Sequence, residues 1–219
     1  MNTSTYDANF YKVLPIDKRE IELYGQYISL LKSTHAPLGF FRESVLPKEE
    51  TQCFGLFFNE SLEGIFAITP IPDISKTQYF KYIPNLKSSE KVAELSNVVL
   101  RKRFRGSVAL GVILYEAAKH AVSGKYFALV GTTRQQTLPF FVDFGVTPVF
   151  HEPLHLMGDQ SINDFVIYFE TNKKESIDYM HTRAERFFQK ELVLAKIRML
   201  CSQRQKTKSQ TGEITNAHS

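Results

Sequence analysis

The stretch ELSNVVLRKRFRGSVALGVIL, residues 94–114, holds the residue types best suited to chemistry. It opens with a carboxylate, Glu94, on an apolar run, and it continues through a dense basic loop to Gly106 and Ser107. The loop contributes four cations, named here the basic cluster: Arg101, Lys102, Arg103 and Arg105. A strand, a basic loop, a glycine and a helix start follow one another in an order that suits anion capture, because the first N–H groups of a helix are unpaired and lie at the positive end of its dipole.

A diphosphate is an anion that fits this order of elements. Gly106 allows the backbone to approach a ligand closely, and Arg103 and Arg105 can supply charge-assisted hydrogen bonds. Ser107 can cap the following helix and offer a hydroxyl. The stretch is neither a P-loop nor a Rossmann turn, since it has no Gly-Lys-Ser/Thr and no set of three spaced glycines. A solvated basic loop is the alternative interpretation.

The histidines and cysteines do not occur at spacings that indicate a metal or catalytic site. The six histidines are scattered, without metal-ligand spacing to a carboxylate or a cysteine, so we predict that no metal is bound. The two cysteines, Cys53 and Cys201, cannot form a disulfide framework, and neither has a base partner for nucleophilic catalysis. This cysteine usage indicates a reduced, cytoplasmic protein in which Cys53 is a small core residue.

Hydrophobic periodicity predicts the elements that must position these residues. An Asp17–Glu20 capping box and helical spacing predict a first helix over 17–33, and two aromatic runs around Asn59-Glu60-Ser61 predict a hairpin over 52–68. Further along, the aromatic residues near Tyr79 predict a short strand. The remaining elements alternate: strand 93–100, helix 108–122, strand 126–131, a helix from a Thr133–Gln136 capping box to Phe144, and strands 146–150 and 165–169. This order predicts a mixed α/β domain with one right-handed crossover.

Length and composition favour a single compact domain. The chain has 219 residues, of which 43% are hydrophobic and 23% are charged, enough for a core without disulfide or metal support. We assign residues 1–174 to this domain, 175–201 to a C-terminal docking helix and 202–219 to a disordered polar tail. The sequence shows no secretory signal layout and no uncharged window long enough to span a membrane.

The segment 94–114 resembles the GNAT acyltransferase superfamily. In that superfamily a strand leads into an Arg/Gln-x-x-Gly-x-Gly/Ala loop that holds the pyrophosphate of acyl-CoA, and the next strand splays away to admit the pantetheine arm. Arg103, Gly106 and Val108 occupy the three motif positions, and Ala109 follows them. The resemblance covers roughly residues 17–170 by the order of elements, and it implies a GNAT-like α/β fold with an added C-terminal helix.

Two further similarities point to the kind of acyl transfer. Glu94-Leu-Ser-Asn97 is similar to the Glu-x-Ser-Arg strand of acyl-homoserine-lactone synthases and N-acyl amino acid synthases, with Asn97 in place of the arginine. The segment GTTRQQTLPFFVDFGVTP resembles proteins named thermostable hemolysins. Both similarities imply transfer of an acyl group, long rather than acetyl, from acyl-CoA or acyl carrier protein to a small amine such as an amino acid.

The resemblance also implies roles for individual residues. Glu94 would deprotonate the attacking amine, and the acceptor would contact Asn97, Thr132 and Thr133. Strand amides would hold the oxyanion, those of Val98, Val99 and Leu100. The motif loop would bind the donor phosphates through Arg103, Arg105, Gly106, Ser107, Val108 and Ala109. No general acid is assigned, because the helix after the second strand offers only Thr137 and Asp143.

Less specific interpretations stay open beside these. Glu94 can instead pair with Arg101 or Arg103, and a helix cap is a sufficient explanation of Thr133. A catalytically inactive GNAT-fold module that binds an acyl ligand or a protein is the rival function. The net charge of +4 and the basic cluster suit an acidic acyl carrier protein as a partner. We expect no nucleic-acid partner, since exposed aromatics do not interleave with the basic cluster, and we leave open whether the chain forms a homodimer.

Overall fold

A computed structural model of the chain describes residues 11–36, 46–83, 86–105, 108–149, 153–154 and 163–190. Gly106 and Ser107 of the predicted phosphate loop therefore lie outside the described residues. The same holds for the predicted polar tail, for Cys201 and for the second part of the predicted C-terminal helix.

The described residues form a seven-stranded sheet with helices on both faces. The strands are β1 (Tyr11–Ile16), β2 (Gln52–Phe58), β3 (Ser61–Ile71), β4 (Val92–Leu100), β5 (Ala128–Arg134), β6 (Thr147–Pro148) and β7 (Asp164–Glu170). The helices are α1 (Ile21–His35), α2 (Gln78–Tyr82), α3 (Ala109–Ser123), α4 (Leu138–Asp143) and α5, which is described over residues 174–190.

The sheet is mixed, with one parallel pair at its centre. The strand order is β1-β2-β3-β4-β5-β7-β6, and every neighbouring pair is antiparallel except β4 and β5. A parallel pair needs a crossover, and α3 supplies it between β4 and β5. Gly111 lets the ring of Phe144, the residue directly after α4, pack against α3. A Cβ at this glycine would lie 2.3 Å from that ring.

The two faces of the sheet bury different sets of side chains. We call the face covered by α1 and α2 the front and the face covered by α3, α4 and α5 the back. Because side chains alternate along a strand, neighbouring strands share rows on each face. Front-facing residues pack with Tyr79 of α2: Val92, Val130 and Val166. Back-facing residues join the core formed with α3: Ala93, Leu129 and Ile167.

Two β-bulges shape the centre of the sheet. In β4, Asn97 and Val98 together oppose the single residue Phe66 of β3. Asn97 has a φ of +53°, a left-handed conformation in which Asn is enriched among residues other than glycine. In β3, the register with β2 passes over Glu63. Bulges bend a strand and redirect side chains, and the bulge in β4 lines the site described below.

Most of the predicted elements are confirmed. The hairpin is β2 and β3, but its turn has two residues, Asn59 and Glu60, with φ of 48° and 66°. Such a turn matches the twist of the strands. The two buried strands of the α/β unit and the helix between them are β4, β5 and α3, and Gly124 ends that helix as predicted. Cys53 is buried in the core, also as predicted.

Three local predictions were wrong, and one strand was missed. Asp17 and Glu20 do not form a capping box, because Asp17 binds Arg19 and α1 begins only at Ile21, without a side-chain cap. Thr133 does not open a helix with Gln136, because β5 continues to Arg134 and α4 begins only at Leu138. The aromatic segment around Tyr79 is the helix α2 rather than a strand. The edge strand β1 was not predicted, since its sequence YKVLPI includes a proline and it pairs in the sheet only with β2.

Candidate active site

A gap opens in the centre of the sheet where β4 and β5 separate. Their parallel register covers only three pairs and ends at Glu94↔Val130, although both strands continue beyond it. The strands still touch just past this point, since a Cβ on Gly131 would lie 2.8 Å from the carbonyl oxygen of Leu95. The bulge at Asn97 follows directly and bends β4 as the gap widens.

A cavity of about 870 Å³ occupies this gap and reaches both faces of the sheet. Its front lining is mostly polar: Ser33, Thr34, His35, Glu94, Ser96, Thr132, Arg134, Asp164 and Tyr168. Its back lining is mostly apolar: Leu95, Leu110, Leu114, Leu129, Phe141, Phe144, Val146, Ile167, Phe169, Met180 and Phe187. Strand alternation produces this division, because successive residues of β4, β5 and β7 point to opposite faces.

Glu94 lies in the polar half of the cavity, and its carboxylate is hydrogen-bonded to Tyr79 of α2. The Tyr79 hydroxyl donates a 2.6 Å hydrogen bond to Oε1 of Glu94. Burial and the adjacent negative charge of Glu94 raise the pKa of Tyr79 far above its ordinary value, so this hydroxyl stays a neutral donor. Of the alternatives open from sequence, an ion pair of Glu94 with Arg101 or Arg103 does not form, because both arginines approach Glu63 instead.

The backbone of β4 presents an N–H group to the gap. The N–H of Arg101 donates to the carbonyl oxygen of Glu63 on the β3 side, at 2.9 Å. Since successive N–H groups of a regular strand point in opposite directions, that of Val99 points toward β3 and that of Leu100 points toward the gap. Val98 belongs to the bulge, where this alternation is interrupted.

The predicted acceptor contacts fall on different sides of the site. Thr132 lines the front half of the cavity, on the same face of the sheet as Glu94 and Arg134. Thr133 lies on the back, where its hydroxyl is 2.7 Å from the hydroxyl of Thr137. Asn97 also lines the cavity, and its side chain lies beside the buried hydroxyl of Tyr27. The polar front lining therefore contains Thr132 but not Thr133.

The basic cluster divides into two parts. Arg103 and Arg101 face Glu63, and Arg103 binds both of its carboxylate oxygens. Arg105 lines the cavity at its exposed rim, and its Nε donates to the carbonyl oxygen of Leu100 at 3.2 Å. Val108 and Ala109 are fully buried in the back core at the start of α3.

Several residues that line the cavity, or that bind residues of the elements around it, were not singled out from sequence. Tyr79 and Glu63 are far from their partners along the chain, so no spacing pattern could connect them. Arg134 and Asp164 are opposite each other in the β5–β7 register and both line the polar half of the cavity. The signal for this second pair was a charged residue at the end of β5 and another at the start of β7, on the same face as Thr132.

Within the described ranges, His, Cys, Asp and Glu side chains do not gather in any group of three that could hold a metal ion. Over the same ranges, none of the helices is both long enough and apolar enough to cross a membrane.

Comparison with known proteins identifies the fold. No protein-family model matches the sequence, and no curated protein matches it. Among solved structures, FeeM, an N-acyl amino acid synthase from uncultured soil microbes, matches with a TM-score of 0.59 and 12% identity over 74% of this chain and 92% of its own. The chain has a GNAT-like N-acyltransferase fold.

Two other structures with the GNAT-like fold extend the comparison. BjaI, a CoA-dependent acyl-homoserine lactone synthase, has a TM-score of 0.58 and 14% identity, and the match covers 80% of this chain and 90% of that one. NAA60 of Arabidopsis thaliana, in complex with acetyl-CoA, has a TM-score of 0.56 and 11% identity over 74% and 99%. The fold predicted from the basic loop and its flanking elements is thereby confirmed, including the separation of β4 and β5.

Proposed function

We propose that this chain is a cytoplasmic N-acyltransferase that moves an acyl group from acyl-CoA or acyl carrier protein to a small, amino-acid-like amine. The observation that carries the proposal is the cavity through the sheet, which is polar on the front and apolar on the back. A reaction between a charged amine and a long-chain thioester needs both environments in contact. The gap between β4 and β5 joins them at Glu94.

The apolar half of the cavity suits the acyl chain of the donor. Its lining comes from α3, α4 and α5 as well as the sheet, and it includes Leu114, Phe144 and Met180. An alkyl chain placed there leaves water for an apolar surface, at about 0.8 kcal/mol for each buried CH₂ group. Arg105 at the exposed rim would then face the phosphates of CoA or of the carrier protein's prosthetic group.

The polar half of the cavity suits the acceptor. Glu94 would receive a proton from the acceptor ammonium, directly or through water, while Thr132 and Asn97 contact the rest of the molecule. Arg134 and Asp164 lie opposite each other on the same face as Glu94, and these two opposite charges suit an acceptor that carries a carboxylate as well as an amine.

The reaction would proceed by direct attack. The deprotonated amine nitrogen attacks the thioester carbonyl carbon, and the N–H group of Leu100 stabilises the oxyanion that forms. The C–S bond then breaks as the amide bond is completed, and the thiolate leaves with the donor. Two protons leave the nitrogen in all. Glu94 receives the one removed from the ammonium before attack and passes it to solvent, and the one lost as the amide forms goes to the departing thiolate or to solvent.

Amine-dependent thiol release tests the proposal. The chain is mixed with octanoyl-CoA and, in separate reactions, with a panel of amino acids and uncharged amines, and free thiol is followed over time. We expect release above the enzyme-free rate with at least one carboxylate-bearing amine. Release that is equal with and without every amine would mean that the chain does not transfer acyl groups to amines.

A catalytically inactive acyl-binding module is the second candidate function, and the composition of α4 favours it. Asp143 is bonded to Arg183 of α5, and the Thr137 hydroxyl is paired with Thr133. Both side chains line the cavity, but each is already engaged with another side chain, so neither is assigned as a general acid. This candidate predicts that the donor binds and that no amine consumes it.

A further inference from the structure

Glu63 is a carboxylate with 0% exposure in the middle of a sheet. It is the bulged residue of β3, because the register with β2 passes from Leu56↔Gly64 directly to Phe57↔Leu62. A bulge redirects a side chain, and a buried charge destabilises a fold strongly unless it is well paired. The position of Glu63 therefore depends on what its carboxylate binds.

The partners of Glu63 both come from the segment that follows β4. Arg103 binds it with two hydrogen bonds: Nε donates to Oε2 at 3.1 Å, and Nη2 donates to Oε1. Arg101 lies 3.8 Å away from Oε2 through its Nε, which also donates to the carbonyl oxygen of Leu62 at 2.9 Å. The buried carboxylate thus ties β3 to the loop that leads toward α3.

A second anchor holds the same loop. Residues Lys102–Phe104 form a 3₁₀ turn, and the Phe104 ring is buried against the rings of Tyr11 and Phe58 at 6.1 and 5.3 Å between centroids. The turn is fixed by charge at Arg103 and by apolar packing at Phe104. Arg105 comes immediately after this turn, at the rim of the cavity.

We propose that Glu63 is a positioning residue, which clamps the turn after β4 so that Arg105 faces the phosphates of the thioester donor. The inference rests on the proposed function, since it assigns the donor's phosphates to the cavity rim. Arg103 then acts as the link between Glu63 and the turn, and Arg105 as the cation that meets the ligand.

Glu63 and Arg103 form an ion pair at a place where an apolar contact could also anchor the turn. This supports a positioning role for Glu63. Apolar side chains of similar volume replace buried ion pairs with little or no loss of stability, and Phe104 already supplies an apolar anchor. A two-point arginine–carboxylate pair adds a fixed orientation, because both groups are planar and bind side by side. The orientation of the turn determines where Arg105 points.

Two donors test this inference, one of which lacks the phosphates and the adenosine of CoA. Calorimetry would measure the binding of octanoyl-CoA and of S-octanoyl-pantetheine, which keeps the acyl chain and thioester but has no phosphate. The variants are Glu63→Gln, which keeps the shape of the side chain, and Glu63→Met, which removes the buried charge. The Met variant is expected to fold because the side chains of Arg101 and Arg103 are 50% and 66% exposed, so that neither is left as a buried unpaired charge. Glu116→Gln is the matched control, because it removes a carboxylate from an ion pair with Lys119 on α3.

We expect both Glu63 variants to raise the dissociation constant of octanoyl-CoA by about tenfold or more, and that of S-octanoyl-pantetheine by less than about twofold. The control should change neither. Equal weakening of both ligands would show a role in stability alone, and unchanged or tighter binding of octanoyl-CoA would show that the clamp does not position Arg105; either result overturns the inference. A wild-type chain that binds neither ligand would instead remove the proposed function, and the clamp with it.

Discussion

Glu94 is the residue on which the proposed chemistry depends, and Tyr79 determines how it is presented. The sequence indicated Glu94 because it opens a buried strand before the basic loop. It could not indicate Tyr79, because the hydrogen bond joins a short helix to the strand across the front core. The prediction of a strand at this place would have put alternate side chains on opposite faces, and the partner of Glu94 would have been missed.

Replacing Glu94 with Gln should lower turnover by about 100-fold while leaving donor affinity unchanged, since general base catalysis contributes about that much. Steady-state kinetics gives the turnover, and calorimetry with octanoyl-CoA gives the affinity. Glu90→Gln serves as the control, because Glu90 lies outside the cavity lining and bonds the backbone N–H of Lys87. Full activity in the Glu94→Gln variant would show that Glu94 is not the general base.

Replacing Tyr79 with Phe should reduce turnover several-fold and leave the affinity for octanoyl-CoA unchanged. The ring still fills its place in the front core, but the carboxylate of Glu94 loses the donor that orients it, a hydrogen bond to a charged group that contributes about 1.5–3 kcal/mol. Turnover and thermal unfolding are measured together. A variant that is less stable yet fully active would show that Tyr79 supports only the core.

At the scale of elements, the separation of β4 from β5 creates the site, and local backbone geometry maintains it. The order of elements could be predicted from the hydrophobic periodicity of the sequence and from the positions of its glycines. The bulge could not, because Asn97 reads as an ordinary strand residue in the run AELSNVVL. A positive φ in a strand follows from how β3 and β4 pair, and this pairing joins residues about 30 positions apart in the chain.

The bulge yields a prediction that compares two substitutions at one position. Asn97→Ala should be less stable than Asn97→Gly by about 1 kcal/mol or more, because only glycine takes the left-handed conformation without a steric penalty. Both variants lose the amide side chain, so the difference between them isolates the backbone. Urea unfolding measures it. Equal stabilities would mean that the bulge relaxes when Asn97 is replaced.

At the scale of the whole molecule, the cavity draws its two environments from the two layers of helices. The end of α1 contributes to the polar half, and α3, α4 and α5 enclose the apolar half. The sequence predicted α1, α3 and the C-terminal helix separately, from the apolar spacing in each, but it indicated a strand in place of α2. It could not predict that Met180 and Phe187 of α5 would line a cavity rather than only the core, because that depends on the space left where two strands part.

The enclosure of the apolar half predicts a limit on the length of the acyl chain. Leu114→Phe places a larger ring in the lining, so the ratio of activity with long-chain to short-chain donors should fall by about tenfold, as expected when a pocket loses room for a few methylene groups. Val122→Phe adds the same bulk at an exposed position of the same helix and should leave the ratio unchanged. An unchanged ratio in the Leu114 variant would place the acyl chain elsewhere.

Native mass spectrometry of the full chain with octanoyl-CoA, before and after addition of an amino acid mixture, tests the central claim most directly. The proposed function predicts one intact thioester bound per chain without the amine. It then predicts loss of the thioester, with the appearance of free CoA and an N-octanoyl amino acid. A thioester that stays bound and unchanged with every amine would contradict acyl transfer and favour the inactive acyl-binding module, and a folded chain that binds no thioester would contradict the site itself.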